Sequence, residues 1–293
     1  LWFIQQMNPA GSAFNMPGRI RLNHQVEDGC IEKTLTRLTQ WHESLRTGFK
    51  VIDDRPVKSL IKEAPILLKK IDISMLTGEE KQRKQTDIFK ETALTPFDLS
   101  EAPLFKAILL KLDRQVYEFI FNMHHIITDG WSMEIIKRDF NMVYEGIRTG
   151  QTVELESIPV QYKDFVEWSN DRLQDPVQNA NSLSYWKTKL ENGIPGFTLT
   201  GDFTGRSESR EGAGYYCFIE KDLTERMRRL AEHNNTTLFT VMFSVYIILL
   251  GWLSGEQDVV CSIIGAGRNH ASLHPIVGFF VNSIIYSTHV DFQ

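Results

Sequence analysis

Ten residues near the middle of the chain, Met123-His124-His125-Ile126-Ile127-Thr128-Asp129-Gly130-Trp131-Ser132, predict the end of a strand, a short turn and the start of a helix. Apolar residues alternate before the turn, and an apolar stripe at helical spacing begins near Ser132. Neighbouring residues of a regular strand point to opposite faces, so His124 and His125 cannot both serve one site. His125 lies nearer the turn and is the first catalytic candidate, and His124 is the second.

The predicted helix start supplies groups that suit a catalytic histidine. The first N–H groups of a helix lack intrahelical acceptors and carry partial positive charge, which favours a developing oxyanion. Gly130 is therefore a third catalytic candidate. Asp129 and Gly130 are also predicted to form a tight turn, in which glycine can adopt a backbone that other residues avoid.

The same residues allow other interpretations. A metal site would use His125 and Asp129, but no third ligand stands at a suitable spacing, so no metal is expected. A Ser-His-Asp hydrolase would need a Gly-x-Ser-x-Gly turn, which the sequence lacks. On this segment alone, two hydrogen-bonded core histidines explain the pattern equally well.

The sequence around the motif predicts an α/β chain with two lobes. The polar stretch from Thr149 to Pro159 is the candidate linker, which gives an N-terminal lobe over 1–157 and a partial C-terminal lobe over 158–293. The predicted elements are a hairpin of Leu104–Leu112 with Val116–His125, helices over Glu79–Ala93, Tyr162–Leu173 and Leu183–Leu190, a strand over Tyr215–Ile219, and a buried core helix over Leu238–Leu253.

Composition excludes several functions. The 293 residues have a formal net charge of -5 and no basic stripe, so no nucleic acid is expected. The three cysteines are widely spaced, which suits a reducing compartment such as the cytoplasm. The apolar run Leu238–Leu253 is too short to cross a bilayer comfortably, so no membrane is expected. The chain begins at Leu1 and ends at Gln293 without start or stop signals, and we expect a fragment of a longer protein.

The ten residues resemble the His-His-x-x-x-Asp-Gly signature of the condensation domains of nonribosomal peptide synthetases. Other stretches resemble further motifs of that family in the same order. They are Trp41 to Phe49 (Arg-His-Glu-x-Leu-Arg-Thr-x-Phe in the family), Tyr162 to Trp168 (Tyr-x-Asp-Tyr/Phe-x-x-Trp) and Val277 to Ser283 (Val-Gly-x-Phe-Val-Asn-Thr). The resemblance covers essentially the whole chain. Trp41 departs from it, since the family usually has arginine there.

The resemblance implies a chloramphenicol-acetyltransferase-like fold of two similar lobes, the second one truncated here. It also implies amide bond formation between a donor acyl thioester and an acceptor aminoacyl thioester. Both substrates would arrive on phosphopantetheine arms of upstream and downstream peptidyl carrier proteins, next to an adenylation domain, with no cofactor bound by this domain. It further implies that His125 reacts and that Asp129 is structural with Arg46 as its ion-pair partner. Trp131, Ser132 and Asn282 are candidates for lining the substrate tunnel, and a strand-end hydrogen bond explains Asn282 equally well.

Within this resemblance other functions stay open. An epimerisation domain shares the fold and the histidine pair but usually lacks the Gly130-Trp131-Ser132 continuation. A heterocyclising domain would carry aspartates in place of both histidines. A stand-alone acyltransferase of the same fold would use one histidine and lack the motifs at Trp41 and Val277. A catalytically idle domain that only docks carrier proteins would be expected to lose His125.

Overall fold

The computed structural model describes residues 1–27, 29–65, 68–191, 193 and 214–292. The helices in this part of the chain are α1 (Trp2–Met7), α2 (Cys30–Trp41), α3 (Gly78–Leu94), α4 (Gly130–Thr149), α5 (Tyr162–Gln174), α6 (Pro176–Lys189), α7 (Lys221–His233) and α8 (Leu238–Ser254). The strands are β1 (Asn15–Leu22), β2 (Thr47–Ile52), β3 (Arg55–Leu60), β4 (Leu68–Asp72), β5 (Phe105–Asp113), β6 (Val116–His124), β7 (Asp258–Gly265) and β8 (Asn282–His289).

A four-stranded sheet in the order β1-β6-β5-β4 carries the histidine motif. Strands β5 and β6 form the predicted hairpin, in which Phe105 pairs with Met123. Strand β1 runs antiparallel to β6, and β4 runs parallel to β5. Because β6 lies between β1 and β5, its backbone groups are bonded on both sides, and His124 at its end is held firmly in place.

Both faces of this sheet are covered by helices. Leu109 and Phe119 belong to the larger buried cluster with residues of α2 and α4. Ile108 and Leu110, which point the other way on β5, pack with Ile88 of α3 in a second cluster. Alternation along β5 thus divides its side chains between two cores.

A second hairpin joins β2 to β3 through Asp53 and Asp54. Both aspartates have positive φ, at 48° and 57°. A two-residue turn with two positive φ values matches the twist of antiparallel strands, so this tight turn connects the two strands without splaying them.

The chain divides into two compact units. The first unit is Leu1–Asn179 with Ala266–Asn282, and the second is Ala180–Gly265 with Ser283–Gln293. This division differs from the predicted boundary at residue 158, because side chains of the first 179 residues bond to the backbone of 266–282. Ser44 Oγ donates to the Val277 carbonyl at 2.6 Å, and Tyr162 Oη donates to the Phe279 carbonyl at 2.5 Å.

In the second unit, α7 and α8 contact each other, and β7 pairs with β8. The strand predicted over Tyr215–Ile219 is wrong, since these residues form no regular element and Tyr215 and Phe218 are exposed. The helix predicted over Leu238–Leu253 is confirmed as α8. Its predicted burial holds for few of its side chains, among them Ile247 and Leu250.

Among the described residues, no single helix is long and apolar enough to cross a membrane. Helices α7 and α8 meet the length and composition criteria only as a pair, and that pair is bent by 103°.

Candidate active site

The histidine motif occupies the passage from β6 to α4, as the sequence predicts. His124 ends β6, His125–Ile127 form one turn of 3₁₀ helix, and α4 begins at Gly130. Asp129 is the residue before the helix, and its Oδ1 accepts the backbone N–H of Ser132 at 2.7 Å. This is an ordinary N-cap, and it explains why the helix starts here.

His124 is buried, and both of its ring nitrogens have hydrogen-bond partners. Its Nδ1 accepts the backbone N–H of Ile126 at 3.1 Å, so the ring proton lies on Nε2, which faces Gln5 Oε1 at 3.4 Å. Burial, with a smaller contribution from His125, lowers the pKa of His124 to about 4. The side chain is only 1% exposed and both ring nitrogens have partners, so the structure places His124 in the core, and its catalytic role stays a prediction.

His125 faces the other way and is partly exposed. Its Nδ1 lies 2.7 Å from the Thr128 carbonyl oxygen, which can only accept, so Nδ1 donates. In the neutral ring Nε2 is therefore unprotonated, and no described residue bonds to it. The ring packs at 90° against the ring of Phe279, with centroids 5.1 Å apart. The two histidines thus have opposite environments, as alternation along the strand predicts.

Gly130 stands at the first position of α4. Its φ is not positive, and a Cβ added there would meet nothing within 4 Å. The prediction that the turn requires a glycine backbone is therefore wrong, and what glycine provides is open space beside the helix start. The Gly130 N–H has no acceptor among the described residues, as expected for the first residue of a helix.

Asp129 is fully buried and is neutralised by Arg268. Arg268 Nη2 lies 3.3 Å from Asp129 Oδ1, and the side chains are 1% and 0% exposed. The Phe280 N–H donates to Asp129 Oδ2 at 3.0 Å. Burial lowers the pKa of Arg268, and the charge of Asp129 opposes this shift. A buried carboxylate needs such a partner. Here the partner comes from the second sequence segment of the first unit, Ala266–Asn282.

The predicted pairing of Asp129 with Arg46 is therefore wrong. Arg46 lies at the end of a 3₁₀ turn, Glu43–Arg46, where it pairs with Glu43 at 3.4 Å and donates to the Ile61 carbonyl at 2.9 Å. Sequence reasoning missed Arg268. The available signal was an arginine after Gly267, shortly before the Val277 motif.

Ser132 links this ion pair to the backbone. Its Oγ donates to the Gly278 carbonyl at 2.9 Å and accepts from the Gly278 N–H at 3.1 Å and from Arg268 Nη2 at 2.7 Å. One donor and two acceptors exhaust a hydroxyl. Because Ser132 is completely buried, the prediction that it lines a tunnel is wrong.

Trp131 and Asn282 are both exposed. The Trp131 indole N–H donates to the His274 carbonyl at 3.1 Å, which fixes one edge of its ring. Their roles as tunnel residues stay predictions. In the described part of the chain, no three His, Cys, Asp or Glu side chains are grouped so as to hold a metal ion.

The arrangement as a whole is one partly exposed imidazole with a free Nε2, followed along the chain by a free N–H at a helix start. The hydrogen bond from Nδ1 to Thr128 fixes the imidazole, and the Asp129 cap, paired with Arg268, fixes the helix start. Such a site can accept a proton or a hydrogen bond at Nε2 and stabilise negative charge near Gly130.

Known proteins identify the family. The condensation domain model matches residues 1–293. Gramicidin S synthase 2 of Brevibacillus brevis is 32% identical over 288 residues, which are 97% of this chain and 6% of that protein. Bacitracin synthase 3 of Bacillus licheniformis is 30% identical over 99% of this chain and 4% of its own length. The chain thus spans only a small part of the length of these relatives.

Solved structures show the fold. The first condensation domain of the calcium-dependent antibiotic synthetase, in complex with a substrate analogue, matches with a TM-score of 0.78 at 20% identity, over 99% of this chain and 66% of that one. The X-domain from teicoplanin biosynthesis, in complex with OxyB, matches with a TM-score of 0.83 at 18% identity, over 98% of this chain and 63% of that one. The chloramphenicol-acetyltransferase-like fold is confirmed.

The class that the fold and the family model define is thus that of the condensation domains, which share the chloramphenicol-acetyltransferase-like fold. The chain belongs to the condensation domain family of nonribosomal peptide synthetases.

Proposed function

We propose that this chain forms an amide bond between a donor acyl or peptidyl group and an acceptor aminoacyl group, both held as thioesters on carrier proteins. The observation that carries the proposal is the free Nε2 of His125, fixed by the Nδ1 hydrogen bond to Thr128 at 2.7 Å. The similarity to the synthases of gramicidin S and bacitracin supports it.

The chemistry demands little from the protein. The acceptor amine attacks the carbonyl carbon of the donor thioester, a C–N bond forms, the C–S bond breaks, and the amine proton passes to the departing thiolate. An α-amino group has a pKa of about 7.7–8.0, so a useful fraction is neutral near pH 7. The thiol has a pKa of about 8.5 and leaves readily. His125 Nε2 accepts a hydrogen bond from the amine, takes its proton and passes that proton to the departing thiolate, while the Gly130 N–H faces the developing oxyanion.

The partners follow from this chemistry. Upstream and downstream peptidyl carrier proteins deliver the substrates on phosphopantetheine arms, and an adenylation domain acts in the same assembly. A four-domain nonribosomal peptide synthetase bound to AMP and glycine matches the fold with a TM-score of 0.82, and this chain covers 22% of its length. The domain binds no cofactor of its own in this scheme. The free cysteines Cys30, Cys217 and Cys261 suit a cytoplasmic setting.

The test is dipeptide synthesis. The chain is mixed with separate carrier proteins loaded with a donor and an acceptor aminoacyl group, and the product is measured by mass spectrometry. His125→Ala should lower the rate about 10²–10⁴-fold, the usual contribution of a general base. His233→Ala, an exposed histidine of α7, is the matched control and should keep full activity.

The outcomes separate the candidate functions. Full activity of His125→Ala would contradict the proposal. If the wild type forms no dipeptidyl thioester but inverts the α-carbon of a carrier-bound peptide, the domain is an epimerase. If it binds loaded carriers and changes none of them, it only docks them.

A further inference from the structure

The ring of Tyr162 lies directly on the backbone of the loop that faces His125. A Cβ added at Gly278 would stand 2.3 Å from Tyr162 Cδ2, so only glycine allows this approach. The Tyr162 hydroxyl donates to the Phe279 carbonyl at 2.5 Å. Burial, and secondly the charge of Asp129, raise the pKa of Tyr162 to about 12, so the hydroxyl stays protonated and keeps donating. Tyr162 therefore fixes the backbone of Phe279.

Phe279 in turn limits the orientation of the His125 ring. The hydrogen bond from Nδ1 to Thr128 fixes one point of the imidazole but leaves its plane free to tilt. The edge-to-face contact with Phe279, with centroids 5.1 Å apart at 90°, supplies the second constraint. Together they determine where Nε2 points.

Lys58 of β3 holds Tyr162 from the other side. Its Nζ lies 4.4 Å from the centroid of the Tyr162 ring, in cation–π geometry. Nζ is buried and has no hydrogen-bond partner among the described residues. The Tyr162 ring and the Glu167 carboxylate, which lines the same cavity, are thus the groups that compensate for the burial of this ammonium.

Lys58 and Tyr162 line a cavity of about 270 Å³, whose other charged groups are Glu43, Lys163 and Glu167. Burial lowers the pKa of Lys58 to about 8, and Glu167 opposes this shift. Lys163 pairs with Glu43 at 3.2 Å. The charge of Lys58, and with it the cation–π contact, is therefore lost as pH rises through about 8.

We propose that Lys58 and Tyr162 are positioning residues that set the ring plane of His125 through Phe279. This inference rests on the proposed catalytic role of His125. In this role neither residue contacts substrate, so substitutions of either one should lower kcat and leave KM unchanged.

The first test is Tyr162→Phe, which keeps the ring and removes the donor to Phe279. In wild type, nuclear Overhauser contacts between the Phe279 and His125 rings should be strong, and in the variant they should weaken. Dipeptide synthesis should fall about tenfold in kcat with KM unchanged, since small misplacements of reacting groups have effects of up to about 10²-fold. A circular dichroism spectrum and melting curve matching wild type would show that the variant folds.

The second test removes or preserves the cation. Lys58→Met should lower kcat, and Lys58→Arg, which keeps a cation over the ring, should restore it. Because arginine stays charged, the ratio of wild-type kcat to Lys58→Arg kcat should fall as pH rises through about 8. Lys163→Met removes a neighbouring lysine that is half exposed and pairs with Glu43, so it is the matched control and should leave kcat unchanged.

Failure of this inference differs from failure of the proposed function. If His125→Ala is inactive while Tyr162→Phe and Lys58→Met retain wild-type kcat and ring contacts, the positioning role is wrong and the catalytic role stands. If wild type forms no amide, the ring contacts in the variants still decide whether Lys58 and Tyr162 orient His125.

Discussion

Helices α4 and α8 are both long and rich in apolar residues, yet they are packed very differently. In α4 of the first unit, Phe140 and Tyr144 are each only 2% exposed. In α8 of the second unit, Ile247 is buried, while Phe239 and Trp252 are 63% and 70% exposed. The more apolar helix is thus the less buried one.

The difference lies in what the two helices contact. Helix α4 packs on α2 and on the four-stranded sheet, where the Phe140 ring stacks on Phe119 with centroids 4.8 Å apart. Helix α8 contacts α7 and β7, and its buried cluster consists of Ile247, Leu250 and Val259. Burial therefore depends on the partners that the fold supplies, and the candidate active site lies in the unit that supplies many.

The largest expected effect is on the buried ion pair. Asp129→Asn removes the charge that compensates Arg268 in a buried site. We expect it to reduce the free energy of unfolding of the first unit by about 3–5 kcal/mol. Hydrogen exchange measured by mass spectrometry on peptides of α4 would report the loss in the first unit alone. The control is Arg228→Gln in the second unit, measured on peptides of α7. It breaks an exposed pair with Glu225 and should reduce the free energy of unfolding by less than about 1 kcal/mol. If Asp129→Asn reduced the free energy of unfolding as little as the control does, the stabilising role of the ion pair between Asp129 and Arg268 would be contradicted.

The next largest effect is the loss of stability when a phenylalanine of α4 or of α8 is replaced by alanine. Phe140→Ala opens a cavity in the core and should reduce the free energy of unfolding of the first unit by about 3 kcal/mol. Phe239→Ala in α8 removes a mostly exposed ring and should change that of the second unit by less than about 0.5 kcal/mol. The same exchange measurement, applied to α4 and α8 peptides, checks both. Equal losses in the two variants would show that the Phe239 side of α8 is covered in solution.

Local patterns predicted much of the first unit. Alternation and turn residues indicated the β5–β6 hairpin and the opposite facing of His124 and His125, because both depend on neighbours in sequence. The start of α4 was predictable for the same reason, since the N-cap Asp129 and its acceptor role are local.

Long-range contacts were not predictable in this way. Arg268 pairs with Asp129 across 139 residues, and no local pattern shows which of two arginines reaches a buried carboxylate. The hydrogen bonds of Ser132 were unpredictable for the same reason, because its partners are the Gly278 backbone and Arg268. The aromatic and apolar run Tyr215–Ile219 predicted a strand. A strand also needs a bonded neighbour, and the structure gives this segment none among the described residues.

The two adjacent histidines have opposite roles, and the tautomers of their rings test this most directly. Long-range ¹H–¹⁵N spectra of the histidine rings at neutral pH, assigned with His124→Gln and His125→Gln, show which nitrogen carries the proton. We expect His124 protonated on Nε2, since its Nδ1 accepts from Ile126, and His125 protonated on Nδ1, which leaves Nε2 free. If His125 carries its proton on Nε2, or if both rings share one tautomer, the free base that amide synthesis requires at this site is absent.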